Sequence, residues 1–416
     1  SSQQFSARAF RPDMFASSIK SALFNLSGPS VGGTTTLQFN QFNYDAVEGA
    51  GVANVTVTRT GDTSTAVTVD YATADDPAPV RCDVIGLTAY ARCDYATTTD
   101  TLRFAAGETI KTFKIPLIND THPEASEQVQ LVLRNPTGGA ALANPTATLT
   151  IADDDNSLTA ANPVFNSAFF VRQQYLDFLS REPDTPGFNA WLNVLNNCPD
   201  VNNLDPNVPS AQCDRILVSN SFFGSQEFQL KGLYVFRFYK VAFGRLPQYA
   251  EIVSDMRAVT GSTGAEVFTK KANFANAFVQ RPEFAGLYGG LSNDAYVAAL
   301  MGRYGLLQIT TPDPSAPDGT SKVTLTSNDL TTQLTSGALT RVQVLRAIAD
   351  SDEVFNAEFN KAYVAMQYYG YLRRTPETGG YNAWLTFLNE HPADFRTMVN
   401  GFMNSQEYRL RFGAAQ

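Results

Sequence analysis

Carboxylates collect at the ends of β-strand patterns in the first third of the chain. The stretch LTIADDDN (149–156) runs from a strand pattern directly into three aspartates, whose like charges repel one another. If these strand ends meet at one pole, a hard cation would relieve the repulsion, and Ca²⁺ takes roughly six to eight oxygen ligands from such loops. The alternative is a solvated acidic turn without a cation. The carboxylates that follow strand patterns are Glu48, Asp75, Asp76, Asp120, Glu124, Asp153, Asp154 and Asp155.

Motifs for other chemistry are missing from the sequence. The chain has two histidines, His122 and His391, and neither has a partner at zinc-site spacing. No GxSxG elbow, phosphate-binding loop or GxGxxG motif follows a strand pattern. The net charge of −9 and the lack of Lys/Arg runs argue against nucleic-acid binding. No apolar stretch approaches the roughly 20 residues of a transmembrane helix. These features favour a binding or structural protein over an enzyme.

The four cysteines fall into two local pairs, Cys82 with Cys93 and Cys198 with Cys213. Four cysteines allow three pairings, and local closure is the simplest. Since no CxxC motif or histidine partner accompanies them, they predict structural disulfides of an oxidising compartment. The alternative is four unrelated buried thiols. The chain starts at Ser1 without a basic and apolar leader, so we expect a secreted or cell-surface protein whose signal peptide was cleaved, although a trimmed chain would look the same.

Composition and periodicity change near residue 157, which predicts a multidomain β + α protein. Residues 36–156 contain seven segments of alternating apolar and polar residues separated by turn residues, as in an antiparallel sandwich. Residues 160–416 are rich in aromatic residues, Ala and Leu at helical spacing, which predicts an all-α domain. Residues 1–35 precede both domains as an N-terminal arm.

Residues 36–155 resemble a Calx-beta domain through YDAVEGAG, VTVDYATAD, the run from CDYATTTD to EQVQLVL, and ATLTIADDD. The resemblance implies an immunoglobulin-like sandwich that binds calcium at one pole. Asn119 stands at a position that is acidic in strong binders, which predicts one weakened ion site. An insertion after Asp75 lengthens a loop that a disulfide would staple. The acidic residues that match the calcium ligands of the family are Glu48, Asp75, Asp120, Glu124, Asp153, Asp154 and Asp155.

The second half repeats one pattern about three times: an aromatic-striped helix, an Arg–x–Pro turn and a second helix. The turn arginines, Arg181, Arg245 and Arg374, are predicted to cap helix C-termini or to pair with acidic neighbours. Trp191 and Trp384 occupy equivalent positions in two repeats. We interpret them as core anchors, with a sugar-stacking platform as the alternative.

Residues 165–412 also resemble a bacterial family of domains of unknown function, through SREPDTPGFNAWL and LTRVQVLRAIADSDEVF. A recurring motif, with the variants SQEF, RPEF, NAEF and SQEY, belongs to this resemblance. Such domains occur in secreted or surface proteins, and the family has a distant resemblance to phycobilisome linker domains, which assemble other proteins. No catalytic residues are known for it. The resemblance implies a docking or assembly module.

The N-terminal arm matches neither family. Its segment PDMFASSIKSALFNL (12–26) has the spacing of a short amphipathic helix, which could pack on its own chain or on a neighbouring subunit. We therefore expect a calcium-stabilised, non-enzymatic bacterial protein that self-associates through the arm and the helical domain into an extracellular filament, sheath or surface layer. The alternative is a monomeric adhesin or carbohydrate-binding module for a cell-surface glycan.

Overall fold

The computed structural model describes residues 2–7, 20–25, 34–74, 81–83, 86–156, 160–203, 205, 207–225, 228–260, 264–315, 321–392 and 394–414. A β-sandwich within residues 36–152 precedes a helical domain, which confirms the multidomain β + α prediction. Both predicted disulfides are present, Cys82–Cys93 and Cys198–Cys213.

The arm contains a strand pair where we predicted a helix. Strands β1 (Ser2–Ala7) and β2 (Lys20–Asn25) form an antiparallel ladder. The prediction of a helix over residues 12–26 is therefore wrong for residues 20–25, and residues 12–19 and residue 26 lie outside the described range. A helix of this length is marginal in water by itself, whereas a local ladder gives the backbone groups of both segments a partner.

The sandwich consists of two packed sheets, with strand orders β10–β3–β5–β8 and β4–β11–β9–β6–β7. Inward-facing residues such as Val55, Ile115 and Leu149 are fully buried between them. The ladders are antiparallel except for the β3–β10 and β4–β11 pairs, which are parallel. The strands are β3 (Thr36–Phe39), β4 (Asn43–Val47), β5 (Val52–Thr60), β6 (Val67–Thr73), β7 (Thr99–Phe104), β8 (Ile110–Pro116), β9 (Glu127–Arg134), β10 (Ala141–Leu142) and β11 (Thr146–Ala152).

The first predicted strand of the sandwich is two strands. The segment LQFNQFNYDA breaks at residues 40–42, so that β3 joins one sheet and β4 joins the other. The buried hydroxyl of Tyr44 donates to Asn40 Oδ1 at 2.6 Å. This hydrogen bond stabilises the chain where it passes from one sheet to the other. The alternation breaks at the same place, because Asn40 and Gln41 are consecutive polar residues between Phe39 and Phe42. The prediction of a single strand passed over this break.

The second domain is built mainly from helices around one large aromatic core. Among its described residues, no helix is long and apolar enough to cross a bilayer. A hairpin of β12 (Gln308–Pro312) and β13 (Lys322–Thr326) departs from the all-α prediction. The α-helices are α1 (Ser167–Gln174), α2 (Thr185–Asn196), α3 (Arg215–Gly224), α4 (Tyr234–Phe243), α5 (Tyr249–Ala258), α6 (Gly264–Phe278), α7 (Pro282–Tyr288), α8 (Asn293–Gly302), α9 (Ser327–Thr335), α10 (Arg341–Ala349), α11 (Asp352–Gln367), α12 (Thr378–Glu390), α13 (Phe395–Met403) and α14 (Gln406–Arg409).

The turn arginines pair with acidic neighbours, as predicted. Arg245 forms a bidentate ion pair with Glu283, with hydrogen bonds of 3.0 and 2.7 Å. Arg374 forms an equivalent bidentate pair with Glu407, with hydrogen bonds of 2.8 and 3.0 Å. Both glutamates belong to the recurring RPEF and SQEY motifs, so the two repeated motifs bind each other. Each turn arginine also lies 5.1–5.2 Å from the centre of a tyrosine ring: Arg181 over Tyr175, Arg245 over Tyr239 and Arg374 over Tyr368.

The two tryptophans pack against the helical core. The Trp191 ring lies 5.7 Å from Phe222, and the Trp384 ring lies 5.7 Å from Phe402. Both indoles are half-buried. This packing agrees with the interpretation of both rings as anchors in the helical core.

Candidate metal centre

The sheet topology brings the acidic strand ends to one pole. Because β4 runs parallel to β11, with Val47 beside Ala152, Glu48 and Asp153 leave the sheet at the same end. Strand β9 runs antiparallel to β11 and begins with Glu127 opposite Ile151, so its preceding loop arrives there too. The expectation that separate strand ends share a pole is confirmed for three of the four ends, and the fourth, with Asp75 and Asp76, lies outside the described residues.

Three of these carboxylates form the first cluster, which consists of the buried Glu48 and Asp120 and the half-buried Asp155. One oxygen from each lies within 4.8 Å of the others. Glu48 and Asp120 are only 3% and 2% exposed. Each residue also has one buried oxygen without a hydrogen-bond partner within the described part of the chain: Glu48 Oε1, Asp120 Oδ2 and Asp155 Oδ2. Buried carboxylates without partners are costly, so this donor set fits a hard cation.

The raised pKa values of the first cluster also indicate that its carboxylates would be stabilised by a nearby positive charge. Burial, followed by the charge of Asp120, raises the pKa of Glu48 to about 10. Burial also raises the pKa of Asp120 well above its ordinary value, although the His122 backbone N–H donates to Asp120 Oδ1 at 2.7 Å. The pKa of Asp155 is raised by burial too. The cluster therefore holds protons in the absence of a cation, and a cation would replace them.

A second cluster lies beside the first and consists of Asp94, Glu124 and Glu127. Their carboxylate oxygens also lie within 4.8 Å of one another. Burial, followed by the charge of Glu127, raises the pKa of Glu124 to about 8. The charges of Asp153 and Asp155 also act on Glu124, so the two clusters share one electrostatic field.

The remaining predicted ligands have different positions. Asp153 accepts backbone hydrogen bonds from Glu124 at 2.6 Å and Asp155 at 2.7 Å, so it shapes the loops. Asp154 is exposed, and a Cβ placed on Gly49 would collide with its carboxylate. Asp75 lies outside the described residues. The structure thus brings together Glu48, Asp120 and Asp155, and places Glu124 in the neighbouring cluster.

Sequence analysis missed Asp94 and Glu127 as members of the second cluster. Glu127 is the first residue of β9 and could have been found from its position beside the acidic loop. Asp94 follows the Cys82–Cys93 loop, and its place at the pole depends on how that insertion folds. Asp94 and Glu127 are brought together by the ladder register of β9 and by the fold of the loop that the Cys82–Cys93 disulfide closes.

The acidic pole faces the helical domain. Ala96 and Ile118 of the sandwich are fully buried in the core cluster of the helices. From α1, Arg172 donates to the carbonyl oxygens of Leu117 and Gly51, at 2.9 and 2.8 Å. The loops that carry the clusters are therefore packed between the two domains.

Comparisons with known proteins agree with this arrangement. Residues 33–155 match the Calx-beta domain family, and residues 355–412 match a domain of unknown function, DUF4214. This confirms the predicted order of the two families, and the second match covers the last part of the helical domain. Two separate segments of the chain are therefore similar to two different domain families.

Individual relatives match over the sandwich. The sodium/calcium exchanger Calx of Drosophila melanogaster is 34% identical over 122 residues, which are 29% of this chain and 12% of the exchanger. The apo form of the Calx CBD1 domain is 32% identical over 30% of this chain and 100% of that chain, with a TM-score of 0.25. The calcium-binding domain CBD12 of CALX1.1 is 32% identical over 30% of this chain and 50% of that chain, with a TM-score of 0.26.

Proposed function

We propose that this protein is a calcium-stabilised structural protein whose Calx-beta domain binds Ca²⁺ at the acidic pole. The observation that carries the proposal is the first cluster, in which three neighbouring carboxylates each keep a buried oxygen without a partner. Glu48, Asp120 and Asp155 would hold the ion, with oxygens of the flanking loops completing its shell. The bound ion would supply charge neutralisation and fixed loop geometry.

The donor set favours calcium over magnesium and zinc. The three side-chain ligands are carboxylates at a strand-end turn and on two loops, an arrangement that suits the variable coordination of Ca²⁺. Mg²⁺ requires near-octahedral geometry and gives up water reluctantly, and zinc sites use mainly Cys and His. The sequence likeness of this domain to a sodium/calcium exchanger supports the same ion.

Thermal unfolding tests this proposal. Calcium at about 100 times its Kd would stabilise the folded domain by about 2.7 kcal/mol over a chelated sample. Magnesium at the same concentration should have a smaller effect. The variant Asp120→Asn should lose the calcium response, whereas Asp45→Asn, an exposed carboxylate on β4, should keep it. A melting temperature that calcium does not raise would refute the site.

Self-association into an extracellular filament, sheath or layer is part of the proposal. Two features support it: the family that the helical half resembles is distantly similar to linker domains that assemble other proteins, and the two disulfides suit an oxidising compartment. Negative-stain electron microscopy in millimolar calcium and in chelator tests it. Ordered fibres or sheets would support assembly, and single particles in both conditions would argue against it.

One observation favours the alternative, a glycan-binding module. An open groove of about 480 Å³ lies between α11 and α12, with Phe355 and Phe359 beside Asn356, Asn360 and Asn389. Amides can both donate to and accept from sugar hydroxyls, and phenyl rings can pack on sugar C–H groups. Glycan-array binding that is lost in Asn356→Ala would favour this alternative.

A further inference from the structure

The loop that carries Asp120 and Glu124 is fastened to one short piece of the helical domain, the 405–413 segment. Thr121 Oγ1 donates to the carbonyl oxygen of Phe412 at 3.0 Å. The imidazole Nε2 of His122 lies 2.9 Å from the carbonyl oxygen of Leu410. Both contacts come from the residues directly after Asp120, so the position of this carboxylate depends on the segment.

The loop closed by the Cys82–Cys93 disulfide is attached to the same segment. Arg92 forms an ion pair with Glu407 at 2.8 Å, and Arg411 Nε donates to the Arg92 carbonyl oxygen at 2.8 Å. Asp94 of the second cluster follows two residues after Arg92. The segment therefore holds loops of both clusters from the helical side.

The 405–413 segment is itself fixed in the helical core. Arg411 is fully buried and forms an ion pair with the fully buried Asp177 at 3.0 Å, and it donates to the Tyr371 carbonyl oxygen at 2.7 Å. Glu407 is held by the turn arginine Arg374. Because these groups are buried or paired on both sides, the cluster loops cannot shift without disturbing this packing.

We propose that the 405–413 segment is a positioning element of the calcium site, so that the helical domain sets the calcium affinity of the sandwich and calcium in turn stabilises the docking of the two domains. This inference rests on the proposed calcium binding. Without a cation, the buried carboxyl oxygens that lack partners work against the arrangement in which the segment holds the loops. With a cation, the ion and the segment favour the same arrangement. Linkage requires the two effects to be equal in free energy.

The repeats supply a matched pair of variants for the test. Glu407→Gln weakens the bond to Arg92 and Arg374, whereas Glu283→Gln weakens the equivalent bond to Arg245. Glu283 bonds to Arg245 within the helical domain, at 3.0 and 2.7 Å, so its variant controls for loss of the repeat motif itself.

A second variant acts at the other contact. A Cβ placed on Gly413 would collide with Thr121 Oγ1, and Gly413 has a positive φ of 148°. Gly413→Ala should therefore push the segment away from the Asp120 loop without altering any carboxylate.

Calcium affinity and hydrogen exchange are the readouts, both on the full chain. Competition with a chromophoric chelator should give a Kd at least about 5-fold weaker for Glu407→Gln and Gly413→Ala, and an unchanged Kd for Glu283→Gln. In the wild-type chain, calcium should slow amide exchange in residues 405–413.

The outcomes separate the inference from the proposed function. If the wild-type chain binds calcium, but the variants bind it equally well and calcium leaves exchange in residues 405–413 unchanged, the inference is overturned and the proposed function stands. If the wild-type chain binds no calcium, both are overturned.

Discussion

At the residue scale, the buried carboxylates make the cation-free protein sensitive to pH. The folded-state pKa values of Glu48, about 10, and Glu124, about 8, lie above the ordinary 4.5. The folded protein therefore keeps protons that the unfolded chain releases above about pH 4.5. This contribution to stability is complete below that pH and is lost as the pH rises through the folded-state values.

We expect the melting temperature in chelator to fall between about pH 4.5 and about pH 10, the range between the ordinary and the folded-state pKa values. Saturating calcium should reduce this fall, because the ion replaces the protons at the cluster. Differential scanning calorimetry across this range measures both conditions. Equal pH profiles with and without calcium would contradict the assignment of the cluster as the ion site.

A second residue-scale prediction concerns the buried ion pair of Arg411 and Asp177, both fully buried. Arg411→Met would leave Asp177 as an uncompensated buried charge, which typically costs about 3–5 kcal/mol. The two tryptophans lie in the helical domain, so urea denaturation followed by tryptophan fluorescence reports on that domain.

The matched control is Lys322→Met, which breaks the half-exposed pair with Asp352. An exposed pair contributes about 0–1 kcal/mol. If both variants lowered the stability of the helical domain equally, the Arg411 pair would not have the anchoring role described here.

At the element scale, the two disulfides should have different effects on calcium. The Cys82–Cys93 loop leads into Arg92 and Asp94 at the pole, whereas Cys198–Cys213 joins α2 to the start of α3. Each bridge closes a short loop and should contribute about 2–3 kcal/mol to stability.

Replacing either cysteine pair by alanine should therefore lower the melting temperature. Only Cys82→Ala with Cys93→Ala should also weaken calcium binding, because it frees the loop of the second cluster. Chelator competition on both variants measures this. Equal calcium affinity in the two double variants would show that the loop closed by Cys82–Cys93 does not support the calcium site.

Local patterns explain which elements could be predicted. The alternation of β5 and β9 and the Arg–x–Pro turns depend on neighbouring residues, so the sequence indicated them correctly. The change of sheet between β3 and β4 coincides with a shift in alternation at Asn40 and Gln41, which the prediction of a single strand overlooked. Similarly, the β12–β13 hairpin was hidden in a region of helical composition, although KVTLT alternates within it.

At the scale of the whole molecule, the domain order and the shared acidic pole could be predicted, whereas the contacts between domains could not. Arg92 and Glu407 are 315 residues apart, and no spacing rule links them. The same holds for Asp94, whose approach to Glu124 and Glu127 depends on the folded insertion. Sequence reasoning therefore indicated a cation pole but not the helical segment that supports it.

The central claim is that the acidic pole binds calcium, and isothermal titration calorimetry on the chelator-stripped full chain tests it most directly. We predict saturable calcium binding to the wild-type chain, affinity at least about tenfold weaker in Asp120→Asn because the ion loses a charged ligand, and unchanged affinity in Asp45→Asn. A wild-type chain without saturable binding, or equal affinity in Asp120→Asn and the wild type, would contradict the claim.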